Sequence, residues 1–454
     1  MVQLLLTKFW VLAHLLVTAG TLCFFPESAG LAHWAAVASF MALLLLPPVH
    51  TDEGFFSART RAWHALRRDA FFYASLLAVT YLGIQLLNAP RLLTFDPELK
   101  RWVFAAAPLP LFPSSLAGEG AGHWAGLIGG LTAAVAVRTV LPRRQRVLLL
   151  TGLALLVGAV GTLIALAPGD FSDALLAGCG GASVWALAAF LMGCVAMGLA
   201  VGSFLEGHRV SLVFTLVALF LDFAALAAMA FHALWLAVAL VLAVWIVFVP
   251  VAVRLSARFP RMVWMLVLLL PPLAGAALGL VADGALEPLL ALFEPSSLSE
   301  PMAAFWEQWG FRCGLATQVF GANPMLGIGP EGFGEVARFF VKGRAEWALW
   351  NAGGTGVPCD FMLLLAEQGM MGTLLLLLPG ATLIGSLLMG SAEVLQDRRG
   401  HYSYRYVFVL FGSLLGVIGV LLFSLIGNPL HAPLTLCVFL TVCACMTGWL
   451  PRRR

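Results

Sequence analysis

Apolar runs of about 20 residues recur along this chain of 454 residues, and they constrain its fold more than any other feature. A helix of that length can cross the hydrocarbon core of a bilayer. Because lipid offers no partner for a free backbone N–H or C=O group, we expect each run to be helical. Only 11% of the residues are charged, against about 25% in an ordinary soluble domain. The sequence therefore predicts an all-α polytopic membrane protein and excludes a cytosolic enzyme, a nucleic-acid-binding protein and a disordered scaffold.

Hydropathy predicts twelve transmembrane helices and one large loop. The predicted spans lie near residues 4–25, 31–49, 69–88, 122–140, 146–167, 181–203, 209–231, 233–253, 262–282, 361–390, 404–426 and 431–450. Residues 1–282 thus hold nine spans, residues 283–360 form the loop between spans nine and ten, and residues 361–454 hold the last three. A loop of this length in a compact membrane protein is usually functional, so we expect the chemistry there.

The cations are distributed unevenly between the two sides of the predicted bundle. Nineteen of the 26 lysines and arginines fall on the side that also holds both chain ends, and the acid-rich loops fall on the other side. Lysine and arginine are retained on the cytoplasmic side of a membrane. We therefore expect both termini in the cytoplasm and the large loop outside.

The large loop contains a segment rich in glycine and proline, Asn323–Phe333. Its glycines allow positive φ and its prolines fix φ and remove N–H donors, so we predict a shaped, non-helical turn. These glycines are Gly327, Gly329 and Gly332. A helix over about 300–320, which carries Arg312, is predicted before the turn. A short amphipathic helix is predicted after it, with three cations at helical spacing: Arg338, Lys342 and Arg344.

Two segments carry a resemblance to a known family. The stretch from Asn323 to Phe333 resembles the segment (H)PLLGxGPGxF of the bacterial O-antigen ligases and O-antigen polymerases. The stretch from Leu365 to Gly372, LAEQGMMG, resembles the family's LAExGxxG, and Arg312 resembles the arginine that precedes the first segment. The family's ligases also have about twelve spans and a large periplasmic loop between spans nine and ten, as predicted here.

The resemblance implies a GT-C-like helical protein of the bacterial inner membrane. It implies transfer of a glycan from undecaprenyl diphosphate to an acceptor hydroxyl at the periplasmic face, without a metal or other cofactor. The expected partners are a lipid-linked glycan donor, a glycan or lipid acceptor and the membrane lipids, with no nucleic acid.

The chain departs from the family pattern at two positions. Counting back from Gly369 places Pro358 where the family has the histidine on which its catalysis is thought to depend. His232 stands where the family has an arginine at the outer junction of two spans. Whether the protein is an active glycosyltransferase therefore stays open at this point.

The candidate site residues follow from the charge that a diphosphate brings. Arginine binds phosphate oxygens bidentately, and a base can help to deprotonate the acceptor hydroxyl. We name Arg312, His232 and Asp360 as the candidate catalytic residues, although the position of Asp360 favours an N-cap of the tenth span over a base. The candidate substrate-binding residues are Arg338, Lys342, Arg344, Gly327, Gly329, Gly332 and Glu367.

Two alternatives stay open. Loss of the histidine and of the arginine fits a non-catalytic descendant that binds a lipid-linked glycan or a partner. Ionisable residues inside spans, here Asp222 and Glu367, would instead line the path of a lipid-linked-glycan transporter. Cys313 and Cys359 bracket the turn on the outer side, where a disulfide is allowed, but sequence spacing does not place them within bonding range.

Overall fold

The computed structural model describes a large part of the chain. The described residues are 60, 63–88, 93–96, 101–104, 120–139, 141, 143–166, 182–229, 273–275, 277, 299–330, 332–352, 356–396 and 402–447.

Within these ranges the protein is helical apart from one short β-hairpin. The α-helices are α1 (Ala70–Leu87), α2 (Gly120–Thr139), α3 (Arg143–Leu166), α4 (Ala182–Leu205), α5 (Arg209–Met229), α6 (Ser299–Ala322), α7 (Phe333–Val336), α8 (Gly343–Ala352), α9 (Asp360–Gln396), α10 (Tyr404–Phe423) and α11 (Pro433–Thr447). A 3-10 helix, Ala337–Phe340, lies between α7 and α8.

Five of the described helices are long and apolar enough to cross a membrane: α3, α4, α5, α9 and α10. Helices α1, α2 and α11 occupy three further predicted spans. The spans predicted near 4–25, 31–49 and 233–253 lie outside the described residues, as does most of the one near 262–282. A multi-pass membrane protein is thus supported, and the total of twelve spans and their orientation stay predictions.

The main apolar core is built around α4. The apolar stretch of α4 is entirely inside the fold, and Trp185 is among its fully buried side chains. A Cβ on Gly198 of α4 would meet the Phe408 carbonyl of α10, so these two backbones approach closely. Small residues allow such helix packing where lipid removes the hydrophobic drive between helices.

A short hairpin interrupts the all-helical pattern. Strands β1 (Leu93–Asp96) and β2 (Arg101–Phe104) pair antiparallel, with Leu93 opposite Phe104 and Asp96 opposite Arg101. The predicted spans leave residues 89–121 as a loop between two of them. Aromatic and β-branched residues in both segments favour strands, but two runs of four residues are too short to be distinguished from a loop by periodicity.

A second apolar cluster forms from the predicted loop and the start of α9. It contains Leu315 and Val319 of α6, Phe333, Trp350 and Leu363. The predicted helix over 300–320 is confirmed as α6. The large loop is therefore a packed unit with its own core in the part that the structure describes.

Helix α9 is longer than the span predicted there. Its 37 residues would reach about 55 Å at 1.5 Å per residue if the helix were unbroken. Its first residues pack into the second cluster, whereas its large exposed apolar side chains all lie between Met370 and Met389. The helix thus has a first part, before Met370, that packs inside the protein, and a second part, from Met370 to Met389, that carries an exposed apolar surface.

Candidate functional site

The two segments that carry the family resemblance lie against each other. Helix α9 is broken at Gly369, whose φ of 63° and ψ of −172° are not helical. The turn after α6 fits into this break through backbone hydrogen bonds. These bonds run from Gly329 N to Glu367 O (2.8 Å), from Met370 N to Pro324 O (2.8 Å), from Met371 N to Met325 O (3.1 Å) and from Ile328 N to Ala366 O (3.3 Å). We predicted a continuous helix here, and the non-local bonds explain why the break is stable.

Glycine is required on both sides of this contact. Gly327 and Gly329 of the turn have φ of 69° and 100°, which confirms the prediction of a non-helical turn. A Cβ on Gly327 would meet the Glu367 carbonyl oxygen, and a Cβ on Gly369 would lie 2.5 Å from the Gly327 nitrogen. Gly332 has an ordinary φ of −77°, so its role in the turn does not depend on positive φ.

Glu367 lies two residues before the break, in the first part of α9. Its side chain is buried, and Oε1 accepts a hydrogen bond from the Phe333 backbone N–H at 3.4 Å. We predicted Glu367 inside the tenth span. The structure places it on α9, in the helix that corresponds to that span, at the point where the turn meets α9.

Arg312 lies buried on α6 and holds a short strap, residues 356–359, that leads into α9. Its Nη1 donates to the Gly356 carbonyl at 2.5 Å and its Nη2 donates to the Trp350 carbonyl at 3.2 Å. The guanidinium carbon also lies 5.6 Å from the centre of the Trp350 ring, an arrangement in which the ring face attracts the cation. Burial lowers the pKa of Arg312, but a guanidinium stays charged in proteins.

A cleft of about 260 Å³, the Arg312 cleft, opens beside this side chain. Its lining residues are Phe305, Gln308, Trp309, Arg312, Gly356, Val357, Pro358 and Asn428. Three buried polar atoms of these residues have no hydrogen-bond partner within the described structure: Nε of Arg312, Nε1 of Trp309 and Oδ1 of Asn428. Buried polar atoms normally have partners, so the cleft offers donors and an acceptor to a polar ligand. Pro358, the position of the family histidine, is on its wall.

Asp360 begins α9 and binds the loop between α10 and α11. Its Oδ2 accepts from Leu430 N at 2.8 Å and its Oδ1 accepts from His431 N at 3.1 Å. The carboxylate therefore holds a neighbouring segment rather than capping its own helix. The Nδ2 of Asn428 reinforces this corner by donating to the Val357 carbonyl.

An apolar cavity of about 160 Å³ adjoins the same corner at Asp360, Leu430 and His431. Side chains from α2, α9 and α11, such as Leu131, Leu376 and Phe439, form most of its wall. Asp360 and Glu367 lie on this wall with Gln368 and His431. The corner formed by the strap and the α10–α11 loop thus contributes residues to the Arg312 cleft and lies beside residues of the apolar cavity.

The three predicted cations after the turn lie apart from both cavities. Arg338, Lys342 and Arg344 are exposed, and Arg338 pairs with Glu335. We predicted one helix there, but the positive φ of Gly343, 86°, separates the 3-10 helix from α8. His232 lies outside the described residues, so its place relative to Arg312 and Asp360 stays a prediction.

Sequence reasoning missed the residues that position Arg312. Trp350 and Asn428 contact the guanidinium and the strap, but neither belongs to a segment of the family resemblance. The Asn428-Pro429 dipeptide is a turn signal, and it predicts the bend of the chain but not the residue that Asn428 contacts.

Within the described ranges, no three His, Cys, Asp or Glu side chains come together as metal ligands would.

His431 is expected to contribute a loss of stability on acidification. Burial lowers the pKa of His431 to about 4, against about 6.5 for a free histidine. The unfolded chain therefore takes up the proton first, so the stability contribution of this side chain is complete above about pH 6.5 and is lost as the pH falls through about 4. Within that window, the contribution of His431 alone should fall by at most about 1.4 kcal/mol per pH unit.

Thermal unfolding of the detergent-solubilised protein and of His431→Gln, measured from pH 8 to pH 4, isolates this effect. The wild-type midpoint should fall more steeply than that of the variant. Parallel curves would show that the imidazole does not cause the loss.

The comparison with known proteins assigns no family: no protein-family model matches the sequence, and no curated protein matches it. The class that the fold defines is a multi-pass helical membrane protein with a second packed unit formed by the segment from α6 to the start of α9. A finer assignment rests on the residues of the site.

Proposed function

We propose that the protein transfers a glycan from undecaprenyl diphosphate to an acceptor hydroxyl at the periplasmic face of a bacterial inner membrane. In this proposal the chain crosses the membrane twelve times with both termini in the cytoplasm. The donor is a lipid-linked glycan, and the acceptor is a glycan or a lipid.

The observation that carries the proposal is the contact between the two segments of the family resemblance. The segments are separated by 31 residues of sequence, yet they pair through four backbone hydrogen bonds at the break in α9. This pairing fixes the turn after α6 relative to the start of α9. The two segments therefore lie together in the fold, as we expect if both belong to one site.

The Arg312 cleft has the character that a charged, hydroxyl-rich substrate needs. A buried guanidinium provides positive charge where water is excluded, and such preorganised charge stabilises a developing anion. Two of the guanidinium nitrogens already donate to carbonyl groups, so the proposal assigns contact with a substrate to Nε, which has no hydrogen-bond partner in the described structure. Transfer at this site would depend on orientation and charge more than on a strong base.

Asp360 is the candidate base nearest to the cleft in sequence, but both of its oxygens accept backbone N–H bonds. A carboxylate in this position acts as a base only by giving up part of that network. His232 is the other candidate base. The proposal assigns removal of the proton from the acceptor hydroxyl to Asp360 or His232.

One observation favours a second candidate, the non-catalytic descendant. Arg312 and Asp360 both have structural contacts in the described part of the chain, and Pro358 has no group that could take a proton. A protein of this kind would bind the lipid-linked glycan without turnover. The transporter alternative has less support, because buried Asp222 of α5 lines neither the Arg312 cleft nor the apolar cavity.

Mass spectrometry of lipid-linked glycans tests the proposal in strains that carry the wild-type gene, a deletion or Arg312→Ala. We expect the deletion and the variant to accumulate the donor. Long chains would indicate a ligase, and single repeat units would indicate a polymerase. If the deletion strain accumulates nothing, glycan transfer is excluded and the non-catalytic protein is favoured.

Two further variants separate chemistry from folding. Gln308→Ala removes a wall residue of the cleft without touching the bonds of Arg312, and partial accumulation is expected at normal protein level. Arg209→Ala removes an exposed arginine at the start of α5 and should behave as wild type.

A further inference from the structure

Two buried thiols flank the contacts of Arg312. Cys313 follows Arg312 on α6, and Cys359 ends the strap, one residue before α9. Both are free and buried, and both belong to the second apolar cluster. Burial, and then the nearby Cys359, raise the pKa of Cys313 to about 11. The bond from Arg312 Nη1 to the Gly356 carbonyl joins the residue before Cys313 to the residue three before Cys359. Together with the shared cluster, this bond brings the two segments that carry the thiols together, although 45 residues separate the thiols in sequence.

We propose that Cys313 and Cys359 form a disulfide bond that ties α6 to the strap. The two thiols lose two protons and two electrons and form one S–S bond. A disulfide donor of the compartment outside the cytoplasm accepts the electrons and is released as two thiols. The bond is independent of glycan transfer, because it requires only that this unit folds where such donors are present.

The burial of the thiols determines when the bond forms. The thiolate is the reactive species, and a thiol with a pKa near 11 is ionised in about one molecule in ten thousand at pH 7. The folded, reduced protein therefore reacts slowly with an external donor. Oxidation takes place while the chain is folding, before the apolar cluster around the two cysteines is complete.

The bond reinforces contacts that are otherwise non-covalent. In the reduced protein the strap is held by the bond from Arg312 to Gly356 and the bond from Asn428 to Val357. The disulfide closes a ring that contains the turn, α7 and α8. A covalent ring reduces the freedom of the chain when these contacts open, so the strap stays on the Arg312 cleft.

Peptide mapping tests the proposal on the full-length protein purified without reductant. The protein is denatured, alkylated and digested, with and without prior reduction. We expect one cross-linked peptide pair that contains Cys313 and Cys359, lighter by two hydrogen atoms than the two free peptides, and absent after reduction. Cys194 and Cys443, which lie buried in α4 and α11, should be alkylated in both samples.

The variants Cys313→Ser and Cys359→Ser serve as matched controls, and each should leave the other thiol open to alkylation. Recovery of both thiols in alkylated form from the unreduced wild-type sample would overturn the proposal. So would a bond from either residue to a different cysteine. Neither outcome depends on whether lipid-linked glycans accumulate in the deletion strain.

Discussion

Gly327→Ala is expected to cause the largest loss of stability of any single alanine substitution at a glycine of the site. A Cβ at this position would meet the Glu367 carbonyl and lie 2.5 Å from the Gly369 nitrogen. The backbone φ of 69° adds a cost of about 1 kcal/mol or more for a residue other than glycine. Since the contact is backbone against backbone, no side chain can move aside. We expect a total loss above ~3 kcal/mol and a much lower thermal midpoint.

Two other glycines divide this effect into its parts. Gly343 also has positive φ, 86°, but a Cβ there has open space around it, so Gly343→Ala reports the backbone cost alone. Gly314 lies in α6 with open space around it, and Gly314→Ala should stabilise the helix by up to about 1 kcal/mol. If Gly327→Ala destabilises no more than Gly343→Ala, the turn does not fit tightly into the break of α9.

Arg312→Ala is expected to destabilise the protein by about 2–3 kcal/mol, apart from any effect on activity. The substitution leaves the carbonyls of Trp350 and Gly356 without their donor and opens a space above the Trp350 ring. Unsatisfied buried carbonyls cost more than the bond itself contributes. The thermal midpoint of the detergent-solubilised variant measures the loss.

Arg312→Lys distinguishes charge from geometry. An ammonium group keeps the positive charge but lacks the planar fork that reaches two carbonyls at once. We expect a smaller loss of stability than with alanine and an intermediate accumulation of donor glycan. Equal stability of Arg312→Ala and wild type would contradict the strap contacts, and the exposed Arg209→Ala provides the baseline.

Local sequence was sufficient for the elements whose causes are local. The apolar runs predicted α3, α4 and α5 because helix formation in lipid depends on the run itself. The glycines and prolines after α6 predicted a turn for the same reason.

The break at Gly369 could not be predicted, because its cause lies elsewhere in the chain. A single glycine in an apolar run is compatible with a continuous helix, and only the turn after α6, some 40 residues earlier, supplies the hydrogen bonds that replace the helical ones. The same holds for Arg312. Its residue type and position in the sequence suggested a functional role. Its hydrogen bonds to Trp350 and the strap depend on how α6 and α8 pack, which the local sequence does not determine.

The two parts of α9 also determine where Asp360 lies relative to the exposed apolar surface of the helix. The exposed apolar surface from Met370 to Met389 covers about 30 Å along the helix, which matches the thickness of the hydrocarbon layer. Asp360 lies ten residues before Met370, on the other side of the break at Gly369, and so outside this exposed apolar stretch. In the proposed topology, a lipid-linked donor therefore reaches the corner at Asp360 only through a head group that extends beyond its acyl chains.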